Sequence, residues 1–95
     1  MAHLKIYGEY ASIDDGGEVD AEIIIDDSIV AKMKADQEEG EILDIYFIRR
    51  KYRHIFSDME DAIRDAAFEV NDDVQEFCVY NTNIEEIIKN MDKEK

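Results

Sequence analysis

The side chains that could act as nucleophiles are few and widely separated in this sequence. It contains one cysteine, Cys78, and two histidines, His3 and His54, among 95 residues. Nucleophilic catalysis needs a nucleophile, a base and a group that orients the base. Cys78 stands between Phe77 and Val79, and this apolar setting predicts a small core residue in a strand rather than a reactive thiolate. The sequence therefore predicts a protein that is not an enzyme and has no catalytic residues.

Carboxylates are abundant, with 25 aspartates and glutamates, but their spacing does not form a known metal loop. The acidic run 14–20 lacks the glycine and glutamate positions that define a calcium-binding EF-hand loop. Two histidines and one cysteine are too few for a structural zinc site. The pair Gly16-Gly17 precedes a strand pattern rather than a helix, unlike a phosphate-binding loop. We therefore expect no metal and no cofactor, and a metal-assisted hydrolase is the least supported of three functional hypotheses.

Charge is the strongest signal in the composition. The net charge is −14 and the sequence pI is about 4.3. Residues 9–44 carry 13 acids against two lysines, residues 45–56 carry four bases and no acid, and residues 57–95 carry 12 acids against four bases. Such a chain repels nucleic acid and anionic lipid at long range, and it favours a basic protein partner.

Length and hydropathy restrict the class of protein. Ninety-five residues suit a single small domain, 1–95. Apolar runs stay far below the 18 residues that a membrane-spanning helix needs, and the first residues do not resemble a signal peptide. We therefore expect a cytoplasmic protein that does not contact membranes.

The N-terminal third predicts a β-hairpin. Apolar residues alternate with polar ones from Leu4 to Ser12 and again from Val19 to Ile25, which is the period of a half-buried strand. Between the two runs, Asp15-Gly16 suits a type I′ turn. A turn at these two residues places Gly8 opposite Ile23 on the core face.

The remaining elements predict an α+β fold with the order β-β-α-α-α-β-α. Asp27-Ser28 begins a short helix that ends near Gly40. The segment 42–56 fits a helix better than a strand, although a strand remains open. The next element is a helix from Ser57 to Val70, which begins with the capping box Ser57-Asp58-Met59-Glu60. It is followed by a strand from Glu76 to Tyr80 and by a helix through residues 84–91 with a second capping box, Thr82-Asn83-Ile84-Glu85. We expect a three-stranded, mainly antiparallel sheet packed with helices.

The hairpin has a polar outer face that could bind a partner. The predicted turn places Glu9 opposite Glu22, Tyr7 opposite Ile24 and Lys5 opposite Asp26. Directly opposed like charges lower the stability of a sheet. The face is therefore either a surface that binds a partner or a solvated sheet face, which the helix of residues 84–91 could partly cover. The predicted partner-binding residues form an acidic rim around an apolar centre: Tyr7, Glu9, Glu18, Asp20, Glu22, Ile24 and Asp26.

A second candidate surface is the aromatic and basic segment 46–53. In a helix, Phe47 points nearly opposite the stripe that contains Ile48 and Tyr52, so we expect it to be exposed. The bases nearby could neutralise acids within the fold or in a second subunit. The candidate dimer residues are Tyr46, Phe47, Arg50 and Lys51.

These observations favour a non-enzymatic acidic interaction protein. In this hypothesis it binds and inhibits or masks a basic partner, such as a nuclease or another nucleic-acid-binding protein, and it does not bind nucleic acid itself. Small size, acidity and few catalytic groups are shared with phage and mobile-element proteins that block host nucleases, a likeness of composition without a motif. The second hypothesis is a structural or accessory subunit that homodimerises through residues 46–53.

Overall fold

The structure is a computed structural model that describes residues 1–93, with side chains through residue 91. It is an α+β fold with the predicted order of elements. The three strands form one antiparallel sheet in the order β2-β1-β3. The elements are β1 (Ala2–Ser12), β2 (Gly16–Ile25), α1 (Asp27–Glu38), α2 (Ile45–Lys51), α3 (Arg53–Val70), β3 (Val74–Thr82) and α4 (Ile84–Lys93).

The core lies between the helices and one face of the sheet, called here the inner face. Helix α3 packs against all three strands, since its apolar residues recur at helical spacing and form one stripe. Leu4 and Ile6 of β1 are fully buried, as are Met59 and Ile63 of α3. Burying these side chains is the main favourable contribution to the stability of the fold.

The hairpin turn lies two residues earlier than predicted. The Ser12 N–H donates to the Asp15 carbonyl oxygen at 2.7 Å, and the Ser12 hydroxyl accepts from the Asp15 N–H at 3.0 Å. These bonds close the loop around residues 13–14. Gly17 is a strand residue beneath the Tyr10 ring, where an added Cβ would lie 3.2 Å from the nearest ring carbon. The prediction of a turn on Asp15-Gly16 was therefore wrong.

Moving the turn shifts every partner along β2 by four residues. Gly8 lies opposite Val19, where the predicted turn placed Ile23. Because side chains alternate between the two faces with a period of two, a shift of four residues leaves each one on its predicted face. The apolar and polar faces of the hairpin are therefore confirmed, while the pairing across it is corrected.

The segment 42–56 is helical, but its helix breaks at Tyr52. The Asp44 side chain caps α2 by accepting from the Phe47 N–H at 2.8 Å. Tyr52 has φ −117° and ψ 60°, which lies outside the helical region and separates α2 from α3. Helix α3 then starts at Arg53, earlier than the predicted start at Ser57. Ser57 lies inside the helix, so its predicted capping role was wrong.

Strand β3 is longer than predicted and turns Cys78 outward. Cys78 pairs with Glu9 and is exposed, whereas Val79 faces the core. The prediction of a buried core cysteine was wrong, because the pairing with β1 assigns alternate residues of β3 to opposite faces. Within residues 1–93, none of the helices has the length and apolar character that crossing a membrane requires.

Candidate functional site

The outer face of the sheet is the surface opposite the helices, and it carries a concentration of carboxylates. Along β1 and β2 its residues alternate with buried or half-buried ones, and all of its residues are exposed apart from the half-buried Tyr7. The outer face comprises His3, Lys5, Tyr7, Glu9 and Ala11 of β1, Gly16, Glu18, Asp20, Glu22 and Ile24 of β2, and Glu76 and Cys78 of β3.

Two like charges meet directly at the centre of this face. Glu9 of β1 lies opposite Glu18 of β2, and Tyr7 lies opposite Asp20 in the next row. The predicted pairs Glu9–Glu22 and Tyr7–Ile24 were wrong because the turn sets a different register. A like-charge pair is nonetheless present, formed by a different glutamate.

Tyr80 adds a hydroxyl to this acidic pair. The register of β3 shifts between Tyr7 and Gly8, so Tyr80 is an extra residue between two paired positions. Its side chain lies near enough to interact with the Glu18 and Glu9 carboxylates. Partial burial raises the pKa of Tyr80, and the charges of Glu18 and Glu9 raise it further. The Tyr80 phenol therefore stays protonated beside the two carboxylates.

The predicted residues Glu22 and Ile24 lie at the other end of the outer face. Glu22 is opposite Lys5, and its Oε1 lies 3.7 Å from Nδ1 of His3. Ile24 is opposite His3 and is 58% exposed. His3, the partner of Ile24, is four residues from Tyr7 along β1, or about 14 Å, so Tyr7 and Ile24 do not form the predicted apolar centre.

Asp26 lies outside the sheet. It is the N-cap residue of α1, and its carbonyl oxygen accepts from the Ile29 and Val30 N–H groups. Its predicted pairing with Lys5 was wrong, because Lys5 pairs with Glu22.

The structure thus brings together four carboxylates, called here the acidic cluster: Glu9, Glu18, Asp20 and Glu76. Glu76 was missed because its place on the outer face depends on how β3 pairs with β1, where it lies opposite Ala11. Tyr80 was missed because a bulge cannot be located from alternation alone. The two-residue spacing of Glu76 and Cys78 places both on one face, so Glu76 could have been found only by predicting that Cys78 is exposed.

The second candidate surface is only partly a surface. Tyr46 is 78% exposed, but Phe47 is only 5% exposed. The Phe47 ring packs 6.2 Å from the Tyr52 ring, and the Arg50 guanidinium lies 5.6 Å from its centroid. The prediction that Phe47 is exposed was wrong, because the break at Tyr52 turns α2 away from the axis of the single helix that had been assumed.

Lys51 is engaged within the fold. Its ammonium contacts Oδ1 of Asp36, and the Tyr52 hydroxyl donates to Oδ2 of the same carboxylate at 2.5 Å. Asp36 is only 6% exposed. These two hydrogen bonds hold the pKa of Asp36 below its ordinary value. In these contacts, called here the Asp36 network, Lys51 neutralises the buried carboxylate of Asp36. Neutralising acids within the fold was one of the two roles predicted for the bases of segment 46–53.

The other bases of segment 46–53, Arg49, Arg50 and Arg53, are exposed and surround Tyr46. Among the side chains that the structure describes, Arg49 and Arg53 have no carboxylate within 4.0 Å. This patch lies next to the groove between α2, α3 and β3.

Within the described part of the chain, no three side chains of histidine, cysteine, aspartate or glutamate form a group that could hold a metal ion. Comparisons with protein families, curated proteins and solved structures each found no match to this chain. The arrangement of the acidic cluster offers hydrogen-bond acceptors and negative charge on an open face, which suits ammonium and guanidinium groups.

Proposed function

We propose that the protein is a non-enzymatic acidic interaction protein whose outer face binds and masks a basic surface on a partner protein. The partner is of the class that binds nucleic acid, such as a nuclease, because those proteins present clustered lysines and arginines. The observation that carries this proposal is the pairing of Glu9 with Glu18 on an exposed face.

The energetics of that pair support binding over folding. Directly opposed like charges on neighbouring strands destabilise a sheet. A guanidinium placed between Glu9 and Glu18 would convert this repulsion into two attractive contacts. The fold gains little from the pair, whereas a basic partner gains charge complementarity and a faster rate of association.

Aromatic side chains next to the carboxylates add to the same surface. Tyr7 lies in the row beside Glu9, and Tyr80 reaches Glu18. Tyrosine rings attract cations at their faces and are enriched at the centre of protein interfaces. The acidic cluster with these two rings therefore offers both charge and apolar contact area to arginine side chains.

The alternative hypothesis, a subunit that dimerises through residues 46–53, gains no support from the positions of its candidate residues. Phe47 is buried, and Lys51 is bound to Asp36. Of the four residues predicted for that surface, Tyr46, Arg50 and Lys51 are exposed, but Lys51 is held in the ion pair with Asp36.

A charge reversal at Glu18 tests the proposal. Glu18→Lys replaces one carboxylate of the opposed pair, and Glu38→Lys is the matched control, since Glu38 is exposed at the end of α1. The probe is a fluorescent arginine-rich peptide, and the measurement is its anisotropy at low salt. We expect Glu18→Lys to weaken binding by about 1–2 kcal/mol, or roughly 5–30-fold, and Glu38→Lys to weaken it by less than about threefold.

Folding provides an independent readout of the same variant. Glu18→Lys forms an opposite-charge pair with Glu9, so the free energy of unfolding should stay unchanged or rise by up to about 1 kcal/mol. Equal losses of peptide binding in Glu18→Lys and Glu38→Lys would mean that only total charge matters, and they would contradict the proposal. Binding that survives high salt would also contradict it, because salt screens contacts between exposed charges.

A further inference from the structure

Strand β3 has one edge without a neighbouring strand in the described chain. The sheet order β2-β1-β3 pairs only one of its two edges. Open edges in natural proteins are usually protected by charged residues or proline. Over its nine residues, β3 carries a single charged side chain, Glu76, whereas β2, at the opposite edge of the sheet, carries three acids. The open edge of β3 is therefore the less protected of the two.

An apolar groove runs beside β3. It is formed by α2, α3 and β3, and its apolar lining includes Ile45, Phe56 and Phe77. Phe77 is 36% exposed and Tyr80 is 45% exposed, so the strand carries large apolar groups that the chain itself leaves uncovered. Exposed apolar surface of this kind marks interaction sites.

Charge selects the occupant of this edge. Two copies of a chain with net charge −14 repel each other over most of their surfaces. The groove contains one base, Arg49, and one acid, Glu60, so it is neutral and complementary to itself. Although Glu76 lies on this strand, a second copy at the groove beside β3 meets less repulsion than at the rest of the outer face.

We propose that two copies of this chain pair antiparallel through their β3 edges. Full overlap of the nine residues Val74–Thr82 centres the twofold axis on residue 78, because it is the midpoint of the strand. Cys78 then lies opposite Cys78 of the partner subunit, and Glu76 lies opposite the partner's Tyr80. Pairing the two edges satisfies their free N–H and C=O groups.

The pairing has a consequence for the outer face. The twofold axis is perpendicular to the sheet, so the two outer faces lie on the same side of one six-stranded sheet. The two copies of β1 are then three strand spacings apart, or about 14 Å. The dimer presents two acidic clusters to one side. This inference does not rest on the proposed function, since the edge and the groove carry it independently.

The first test uses the single cysteine, which is exposed. Cα atoms of directly opposed residues on paired strands are about 4.5–5.5 Å apart, within the range that a disulfide spans. Mild oxidation of the native protein should therefore give a disulfide-linked dimer through Cys78. The controls place one cysteine elsewhere in a Cys78→Ser background, at Glu76→Cys or at Glu22→Cys. Two copies of residue 76 would lie about 14 Å apart, too far for the bond. Cross-linking of either control as fast as the native protein would overturn the pairing.

The second test measures mass in solution by sedimentation equilibrium. We expect a species of twice 11.1 kDa that becomes more stable at high salt, because salt screens the repulsion between copies. Cys78→Lys places two like charges opposite each other and should weaken dimerisation at least tenfold. Circular dichroism of Cys78→Lys should be unchanged, because residue 78 is exposed.

Two outcomes of this measurement would overturn the proposal. The first is a monomer at every concentration up to about 1 mM, which would leave the edge to a different protein. The second is a dimer that Cys78→Lys leaves intact. A dimer that meets both tests but does not bind the arginine-rich peptide would contradict the proposed function and leave this inference standing.

Discussion

The Asp36 network should make an important contribution to stability, and Asp36→Asn measures it. Asp36 is 6% exposed and accepts from Lys51 and Tyr52, which lie 15 and 16 residues along the chain. The network therefore joins the end of α1 to the junction of α2 and α3. Asparagine has the same shape as aspartate, but its side-chain nitrogen is a hydrogen-bond donor. It would face either the Lys51 ammonium or the Tyr52 hydroxyl, and two donors cannot form a hydrogen bond with each other. The substitution removes the charge and one hydrogen bond without creating a large cavity.

The expected loss of stability in Asp36→Asn depends on how exposed the two donors, Lys51 and Tyr52, are to solvent. A hydrogen bond to a charged group contributes about 1.5–3 kcal/mol, and the buried side of the network, Tyr52 to Asp36, belongs to this class. The Lys51 side chain is 51% exposed, so solvent screens its ion pair and we assign it only about 0–1 kcal/mol. Asparagine keeps a neutral bond of about 0.5–1.5 kcal/mol. The free energy of unfolding should therefore fall by about 1–3 kcal/mol.

The difference in the free energy of unfolding between wild type and Asp36→Asn should depend on pH if it comes from charge, but not if it comes from packing. The pKa of Asp36 is lowered from its ordinary value of 3.8 by the hydrogen bonds from Lys51 and Tyr52. Because the pKa is lower in the folded protein, Asp36 adds its full contribution to the free energy of unfolding at any pH above its unfolded-state pKa. That contribution is lost as the pH falls through the folded-state pKa. The difference between wild type and Asp36→Asn should be constant at neutral pH and should shrink below about pH 4. On the alkaline side, burial and then Asp36 raise the pKa of Tyr52 above 10.0, so its contribution should decline as the pH rises beyond that value.

Urea unfolding at several pH values is the assay. For a domain of this size the slope is about 1 kcal/mol per molar urea, so the midpoint should fall by about 1–3 M. Asp14→Asn is the control, because Asp14 is exposed in the hairpin loop, and it should change stability by less than about 0.5 kcal/mol. The reasoning would be refuted by an Asp36→Asn midpoint equal to that of wild type at neutral pH. A loss that persists unchanged at pH 3 would also refute it, because the charge of Asp36 would then not matter.

Two further substitutions test the packing. Gly8→Ala should destabilise by about 3 kcal/mol, because its Cβ would lie 2.5 Å from the Cys78 carbonyl oxygen and 2.6 Å from Cγ2 of Ile63; a urea midpoint within error of wild type would contradict this close approach. Phe47→Ala should cost about 3–5 kcal/mol because Phe47 is buried, whereas Tyr46→Ala at an exposed position should cost less than about 0.5 kcal/mol. Equal thermal shifts in these two variants would show that Phe47 is not part of the core.

The residues of the outer face were predictable from alternation, but their partners were not. Glu9, Glu18, Asp20 and Glu22 lie on the predicted face, because a shift of four residues preserves a pattern with a period of two. The opposed pair changed from Glu9–Glu22 to Glu9–Glu18, because the loop forms around residues 13–14 and not at Asp15-Gly16. The Ser12 hydroxyl bridges this loop through hydrogen bonds with the Asp15 backbone, and alternation carries no information about such bonds.

Local patterns along the chain determined the order of the elements and the two faces of the hairpin, and composition determined the net charge. The patterns depend on residues that are close together in the sequence, such as the alternation of apolar and polar side chains along β1. Only the tertiary structure decided that Phe47 is buried, that Cys78 is exposed and that Lys51 meets Asp36. The physical reason is distance along the chain. A break at one residue, Tyr52, reorients a helix, and a bulge at Tyr80 changes the register of a strand. Each is set by contacts with residues far away in the sequence.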